Sequence, residues 1–109
     1  GAVVTSISYS DRNGVVRISV TGHALYHPGN DVVCAGVSTI TFQLLNFVNI
    51  MQANGQIEDV TSEVTDGWVI LTFRLKEAGR STWDIAWSVV RTGYEMLAES
   101  YPENVKAAF

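Results

Sequence analysis

Two segments of the chain alternate apolar and polar residues around a short turn, and this pattern limits the possible folds more than any other feature. The first segment turns at DRNG, and Asn-Gly between alternating residues is a strong signal for a β-hairpin. A period of two places the apolar side chains on one face of each strand. The residues in this pattern are Val3, Ile7, Tyr9, Val16, Ile18 and Val20.

A second hairpin is predicted in the segment IEDVTSEVTDGWVILTFRL, which turns at Asp66 and Gly67. The apolar residues on one face of its second strand are Val69, Leu71, Phe73 and Leu75. Together the hairpins give four strands with an apolar face that another layer must cover.

A long apolar segment, DVVCAGVSTITFQLLNFVNIMQAN, separates the two hairpins. Its many β-branched residues would suit a strand, but about twenty residues are too many for one strand, so length favours a helix. Asp31 is a good N-cap for this first helix, and Asn54 with Gly55 ends it.

The segment STWDIAWSVVRTGYEMLAESY predicts a second helix, which is amphipathic, and Ser81 and Asp84 have the spacing of a capping box at its start. The apolar residues that recur at helical spacing are Trp83, Trp87, Val90, Tyr94, Leu97 and Tyr101. The predicted order is therefore ββαββα, an α/β fold of the α+β type. Two helices cover a four-stranded sheet in two layers.

The first predicted helix carries more apolar surface than one sheet needs. One stripe contains Val37, Ile40, Leu44, Val48 and Met51, and further apolar residues around the helix are Phe42, Leu45 and Phe47. The surplus packs either against the second helix of the same chain or against a second subunit. The second possibility predicts a homodimer.

The composition limits the partners of the chain. Its 109 residues fit one domain, residues 1–109. A net charge of −4 with scattered Lys and Arg argues against direct nucleic-acid binding. No uninterrupted apolar run reaches the roughly 18 residues of a membrane helix, so no membrane association is expected. One cysteine and an N-terminal segment without secretory features favour a cytoplasmic location.

The single cysteine, Cys34, lies three residues after Asp31, the predicted cap. A lone cysteine is by default a small buried hydrophobe. In the first turn of a helix, however, the positive end of the helix dipole favours the thiolate over the thiol. His23 follows Gly22 at the predicted end of the second strand. If His23 meets Cys34, the two form a thiolate–imidazolium pair suited to attack on carbonyl groups.

Neighbouring side chains leave alternatives open. The charge of Asp31 opposes thiolate formation, so its benefit would lie in orienting His23 or in binding a cationic group. Ser38 stands one turn beyond Cys34 and hydrogen-bonds either at the site or back to its own helix. A zinc site built from these residues and His27 matches no standard spacing, so neither a metal nor another cofactor is expected.

The motif GHA at residues 22–24, followed by a short glycine-bearing loop and by DVVCAGVS at residues 31–38, resembles the bacterial ribosomal-processing cysteine protease family, Prp. The resemblance covers the whole chain in length, in the order of elements and in the position of the motif. The roles that it implies are His23 as base, Cys34 as nucleophile, and Gly22, Asp31 and Ser38 as accessory or substrate-binding residues.

The resemblance implies a homodimeric cysteine endopeptidase. Its substrate would be the precursor of the twenty-seventh large-subunit ribosomal protein, from which it removes an N-terminal extension. Two other functions stay open: a noncatalytic ribosome-assembly binding module of the same fold, and a thiol redox sensor, which the lack of a resolving cysteine disfavours. An aromatic substrate segment is implied, and pocket candidates that also suit a packing role are Tyr26, Trp68 and Trp83.

Two features depart from the family pattern. The loop carries Tyr26, His27 and Pro28 where smaller or charged residues are expected, and Gly36 stands in place of an alanine. Pro28 fixes its own φ angle and stiffens the loop. We expect both departures to affect substrate fit more than chemistry.

Overall fold

A computed structural model of the chain describes residues 4–22 and 32–109. The strands are β1 (Thr5–Arg12), β2 (Val15–Thr21), β3 (Ile57–Val64), β4 (Trp68–Leu75) and β5 (Val105–Ala108). The helices are α1 (Val32–Ala53) and α2 (Arg80–Ser100), the second preceded by a single 3₁₀ turn, Glu77–Gly79. The ββαββα order predicted from the sequence is present and continues into one further strand.

The strands form one mixed sheet with the order β3-β4-β2-β1-β5, antiparallel except where β5 runs parallel to β1. Both predicted hairpins are present. In the first, Asn13 and Gly14 have φ angles of 53° and 78°, as a type I′ turn requires at both central positions. The second turns at Thr65, Asp66 and Gly67, between β3 and β4.

The prediction of four strands is wrong, because β5 adds a fifth. Its register pairs Val105 with Thr5 and Ala108 with Ser8. The segment VKAA is too short to show an alternating pattern, and it becomes a strand through its contact with β1. A bond from the Thr5 N–H to the Asn104 carbonyl, 2.8 Å long, fixes where this pairing begins.

The predicted capping box of the second helix is also wrong. Gly79 is the N-cap of α2, and no side chain caps it. The chain enters the helix through the 3₁₀ turn, so Ser81 already lies within the first helical turn. Asp84 instead accepts a hydrogen bond from Arg80 Nη1 at 3.2 Å, one turn along the same helix.

Both helices contribute to one core with the apolar face of the sheet. The predicted inward faces of β2 and β4 are buried, and so are the residues of α1 that continue this core. The buried residues of α1 are Val33, Cys34, Val37, Thr41, Leu44, Val48 and Met51. The helices meet where Gly93 receives Ile40, and where the buried hydroxyls of Thr41 and Tyr94 share a 2.8 Å hydrogen bond.

Helix α1 is also the one helix in residues 4–22 and 32–109 that is long and apolar enough to cross a membrane. Its mean hydropathy is 1.4 over the qualifying window. Polar residues interrupt the run, so the helix passes this test by its average hydropathy although it contains no uninterrupted apolar run of that length. Core helices pass the same test, and the burial of one side of α1 against the sheet accounts for its composition.

The topology brings the start of α1 and the end of β2 to the same end of the sheet. Val15 of β2 pairs with Arg74 of β4, and Ile57 of β3 pairs with Leu75 of β4, so β2 and β3 begin at one end. Helix α1 leads into β3 through residues 54–56 and therefore ends there. Its 22 residues span about 33 Å, so it begins at the opposite end.

We call the end of the domain where β2 ends and α1 begins the site end, and the opposite end the far end. The β3–β4 turn and the start of β5 also lie at the site end, because Trp68 pairs with Thr21 and Val105 pairs with Thr5. The β1–β2 turn and the start of α2 lie at the far end.

Candidate active site

Cys34 is the third residue of α1 and lies at the site end. Its residue surface is 8% exposed, and its neighbours in the core are the apolar side chains around the start of α1. The thiol is thus buried at the positive end of a long helix dipole, which favours the thiolate, while its apolar surroundings favour the thiol.

Ser38 follows Cys34 by one helical turn and is half-buried. Residues four apart lie on the same side of a helix. The neighbouring Thr39 hydroxyl donates to the Ala35 carbonyl of the same helix at 2.7 Å.

Gly22, the first residue after β2, has a backbone conformation that favours glycine. Its φ angle is +123°, and a β-carbon would lie 2.5 Å from the Val4 carbonyl oxygen and 2.9 Å from Thr5 Cα. Its N–H donates to the Gly67 carbonyl at 2.8 Å. Gly22 therefore lies between the start of β1 and the β3–β4 turn, and any side chain there would push against backbone atoms.

The remaining predicted site residues lie outside the described part of the chain. These are His23 and Asp31, and the loop residues Tyr26, His27 and Pro28 lie there as well. The pairing of His23 with Cys34 and the capping by Asp31 therefore stay predictions. The structure brings Gly22 and the first turn of α1, with Cys34, to the same end of the sheet.

Gly36 is a helix-packing residue. A β-carbon at this position would lie 2.9 Å from Leu97 Cδ2, so the missing side chain makes room for Leu97 of α2. Substrate fit is therefore not needed to explain the glycine. The contact lies two residues beyond Cys34, and it sets how closely α2 approaches the start of α1.

The two described pocket candidates differ. Trp83 is fully buried, and its Nε1–H donates to the Tyr9 hydroxyl at 2.9 Å, which identifies it as a core residue. Trp68 is 43% exposed and pairs with Thr21 at the site end. Trp68 is thus the described candidate placed where a peptide could reach it.

One feature of the site end has no counterpart in the sequence-based predictions. The β3–β4 turn is tied through the Gly67 carbonyl to Gly22, immediately before His23 in the chain. The letters TDG indicate a turn in which the threonine side chain forms hydrogen bonds with the backbone. They do not reveal which strand end that turn contacts, because the partner is 45 residues away in the sequence.

Among the described residues, the two tyrosines whose pKa is raised lie away from Cys34. Burial raises the pKa of Tyr94 to about 12, although its hydrogen bond with Thr41 acts in the opposite direction. Burial likewise raises the pKa of Tyr9. Both tyrosines are therefore neutral packing residues at physiological pH.

Comparison of the fold with solved structures finds proteins of similar size. SMU.848 from Streptococcus mutans superposes with a TM-score of 0.66 at 24% identity, covering 95% of this chain and 91% of that one. The ribosomal processing protease Prp of S. aureus, solved with a covalently linked product peptide, gives a TM-score of 0.60 at 21% identity, covering 96% of each chain. Prp of S. aureus with a substrate peptide gives 0.61 at 20% identity, covering 97% of each chain.

No curated protein sequence matches the chain. A family model described as cysteine protease Prp matches residues 3–106, which is nearly the whole chain and includes Cys34. The family resemblance drawn from the motif around residues 22–38 is confirmed by this match, as is the assignment to the cysteine proteases. The chain belongs to the cysteine protease Prp family.

Proposed function

We propose that this protein is an endopeptidase that removes the N-terminal extension from the precursor of the twenty-seventh large-subunit ribosomal protein, with Cys34 as nucleophile and His23 as base. The observation that carries the proposal is the position of the only thiol in the first turn of α1, within a chain that matches the Prp family over residues 3–106. The similar S. aureus enzyme is a ribosomal processing protease and was solved with a substrate peptide.

The helix dipole alone is too weak to ionise Cys34. A helix N-terminus contributes about 0.3–1 kcal/mol, whereas one pKa unit corresponds to about 1.4 kcal/mol. A thiol with an ordinary pKa is only a few per cent ionised at neutral pH. A second cation is required, and His23 is the candidate because it follows directly after Gly22 at the site end. The two groups then titrate as a pair.

The proposed reaction is acyl transfer in two steps. The Cys34 thiolate attacks the scissile carbonyl carbon, and the amine leaves with a proton from His23, so that the acyl group stays on sulfur. Water then gives a proton to His23 and attacks the thioester carbon. The C–S bond breaks, which releases a carboxylic acid that ionises in solution and restores the Cys34 thiolate beside the protonated His23. The positive end of α1 stabilises the oxyanion of each tetrahedral intermediate.

Three further residues have supporting roles in the proposal. Gly22 lets the chain leave β2 in a direction that residues with a side chain would disfavour. Asp31 orients His23 or binds a cationic group of the substrate. Ser38 hydrogen-bonds at the site from the turn after Cys34. A cytoplasmic location, where ribosomal proteins are made and thiols stay reduced, is part of the same proposal.

The test is incubation with the purified precursor ribosomal protein, followed by intact-mass measurement. We expect a single N-terminal truncation by the parent protein and none by Cys34→Ala, Cys34→Ser or His23→Ala, each still folded by circular dichroism. The control is Thr39→Ala, which changes an exposed residue of the same helix that bonds only to the Ala35 carbonyl.

The possible outcomes separate the functions. An uncut precursor that nevertheless forms a stable complex with the parent protein would support a noncatalytic binding module instead. Cleavage by Cys34→Ala at the parental rate would remove Cys34 as the nucleophile. Because the chain has one cysteine, the thiol cannot be replaced by another in these experiments.

We also propose that the protein is a homodimer whose subunits meet through the two helices. An apolar groove of about 410 Å³ lies between α1 and α2, lined in part by Leu44, Phe47, Ile85 and Val89. Ile85 and Val89 are 69% and 67% exposed in the single chain. Helix α2 thus covers only part of the apolar surplus of α1, and adds exposed apolar residues of its own.

Sedimentation equilibrium tests the dimer. We expect twice the chain mass of 11.9 kDa at tens of micromolar, and a monomer for Ile85→Lys. Met96→Lys is the control, because Met96 is equally exposed on α2, at 66%, but does not line the groove. A monomeric parent protein would contradict the dimer, and dissociation by Met96→Lys alone would place the contact elsewhere on α2.

A further inference from the structure

The β3–β4 turn is organised by one side chain, that of Thr65. The Thr65 hydroxyl oxygen accepts hydrogen bonds from the N–H groups of Gly67 and Trp68, both at 3.2 Å. The Thr65 N–H in turn donates to the Trp68 carbonyl at 2.9 Å. A single hydroxyl therefore fixes the orientation of the peptide units on both sides of Gly67.

This turn holds the point at which the chain leaves the sheet. The last residue pair between β2 and β4 joins Thr21 with Trp68. The bond from the Gly22 N–H to the Gly67 carbonyl, 2.8 Å long, extends that pairing by one more residue. Its acceptor is the carbonyl of Gly67, so its position depends on the shape of the turn.

Gly22 is confined from the other side as well. Its α-carbon faces the Val4 carbonyl and Thr5 Cα, with no room for even one more carbon atom. The start of β1 is itself fixed by the bond from Thr5 to Asn104. Gly22 therefore moves only if the β3–β4 turn moves, because the β1 side is already closed.

We propose that Thr65 is a positioning residue for the catalytic histidine, acting through Gly67 and Gly22. This inference rests on the proposed function, in which His23, the residue after Gly22, is the base. A displacement of about 1 Å in a catalytic group can cost about 100-fold in rate. The hydroxyl of an exposed turn can thus affect catalysis more strongly than it affects folding.

Loss of the Thr65 hydroxyl should change the free energy of unfolding only slightly. The turn is at the surface, so without the threonine hydroxyl the N–H groups of Gly67 and Trp68 bond to water. The pairing of β3 with β4 continues on both sides of the turn, from Val64 with Val69 onward. The lost feature is the fixed orientation of the Gly67 carbonyl, which is the acceptor for Gly22.

The experiment compares Thr65→Ala, Thr65→Ser and the control Thr92→Ala in the full-length protein. Thr92 is exposed, whereas Thr65 is half-buried, and the Thr92 hydroxyl also bonds to a nearby carbonyl, that of Val89 at 2.6 Å, but it lies on α2. With the precursor ribosomal protein as substrate, we expect Thr65→Ala to lower kcat about tenfold with KM within about twofold. Thr65→Ser, which keeps the hydroxyl, and Thr92→Ala should match the parent.

A second readout does not depend on proteolysis. Amide hydrogen exchange of Gly22, measured by nuclear magnetic resonance, should be about tenfold faster in Thr65→Ala than in Thr92→Ala or the parent. Unchanged exchange at Gly22 would overturn the inference whatever the activity. Faster exchange with an unchanged kcat would also overturn it, because the turn would then hold Gly22 without positioning the base.

The two proposals fail in different ways. If the parent protein does not cut the precursor, the proposed function fails, while the exchange measurement still reports on the link from Thr65 to Gly22. If the parent cuts the precursor and Thr65→Ala is equally active, only the positioning role fails. Equal losses in Thr65→Ala and Thr65→Ser would show that the hydroxyl is not responsible.

Discussion

The far end of the domain is linked by side chains as well as by backbone hydrogen bonds, whereas Gly22 and Thr5 at the site end are held by backbone hydrogen bonds. At the far end Arg80 forms a bidentate pair with Asp11, at 2.6 and 3.2 Å, and Gln56 donates to Thr82 at 3.2 Å. At the site end the described links around Gly22 and Thr5 run from an N–H to a carbonyl.

The ends also differ in how glycine is used. At the far end Gly79 has an ordinary φ of −103°, and a β-carbon there would lie 2.4 Å from the Gln56 carbonyl oxygen, so the position is limited by space. At the site end Gly22 is limited both by space and by its φ of +123°. The far-end glycine joins two elements, whereas the site-end glycine is the residue immediately before His23.

The largest expected effect is a loss of kcat that occurs on substitution of Gly22 but not of Gly79. Gly22→Ala and Gly79→Ala should each lower the free energy of unfolding by about 3 kcal/mol, because a backbone shift must relieve a close contact. Gly22→Ala should in addition lower kcat about 100-fold, since the direction of the chain before His23 changes. Urea unfolding and precursor cleavage, measured below the unfolding transition, give the two quantities.

A loss of kcat in the folded fraction of Gly79→Ala as large as that of Gly22→Ala would contradict this difference between the two ends. Both ends would then affect the site equally, and the division between a structural end and a catalytic end would be wrong.

The next largest effect is expected in the middle of the domain, where one buried hydrogen bond connects the two helices. Thr41→Val leaves the Tyr94 hydroxyl buried without its partner, which should cost about 2 kcal/mol. Thr39→Val, at an exposed position of α1, is the matched control. Thermal unfolding should show a clearly larger loss for Thr41→Val, and equal losses would mean that the buried bond adds no stability.

Tyr94 should also make the fold sensitive to alkaline pH. Its pKa is raised to about 12 in the folded state, above the ordinary value of 10.0. A raised pKa gives stability that is fully present below pH 10 and is lost as the pH rises toward 12. The loss should be about 1.4 kcal/mol at pH 11. Urea unfolding at pH 9 and pH 11 should show it in the parent.

Tyr94→Phe, which has no phenol to ionise, provides the comparison for this measurement. Its loss of stability between pH 9 and pH 11 should be smaller than that of the parent by the same amount. An identical decline in both proteins would assign the alkaline loss to other groups.

The smallest expected effect concerns the far-end ion pair. The Arg80 and Asp11 side chains are 42% and 22% exposed, so solvent screens their attraction. Asp11→Asn should therefore cost no more than about 1 kcal/mol, with Asp84→Asn costing less because Asp84 is more exposed. Both variants should keep the parental kcat, and a lower kcat in Asp11→Asn would show that the far end communicates with the site.

The sequence predicted those parts of the fold whose signals are local. The Asn13–Gly14 turn, the alternation along β4 and the helical spacing of α2 each depend on neighbouring residues, and all three are present. The strand β5 was missed because its four residues become a strand only by pairing with β1. The capping box was wrong because a 3₁₀ turn shifts the start of α2.

The candidate site was predicted to a different extent. Cys34 could be placed at a helix start because caps and apolar runs are visible in the letters, and the family match supports the motif around it. The contact between Gly67 and Gly22 could not be predicted, since it depends on how two separate hairpins align. The packing of Gly36 against Leu97 was missed for the same reason, because the two residues belong to different helices.

The contact between Gly36 and Leu97 has a consequence for how this sequence can change over evolution. A methyl group added at position 36 would meet Leu97 Cδ2 at 2.9 Å, so alanine at 36 requires Leu97 to change its rotamer or to be replaced by a shorter side chain. A shorter side chain at 97 alone would leave a gap beside the start of α1. The residue at 97 should therefore differ between family members with glycine and those with alanine at 36, and comparison of many members would show this covariation.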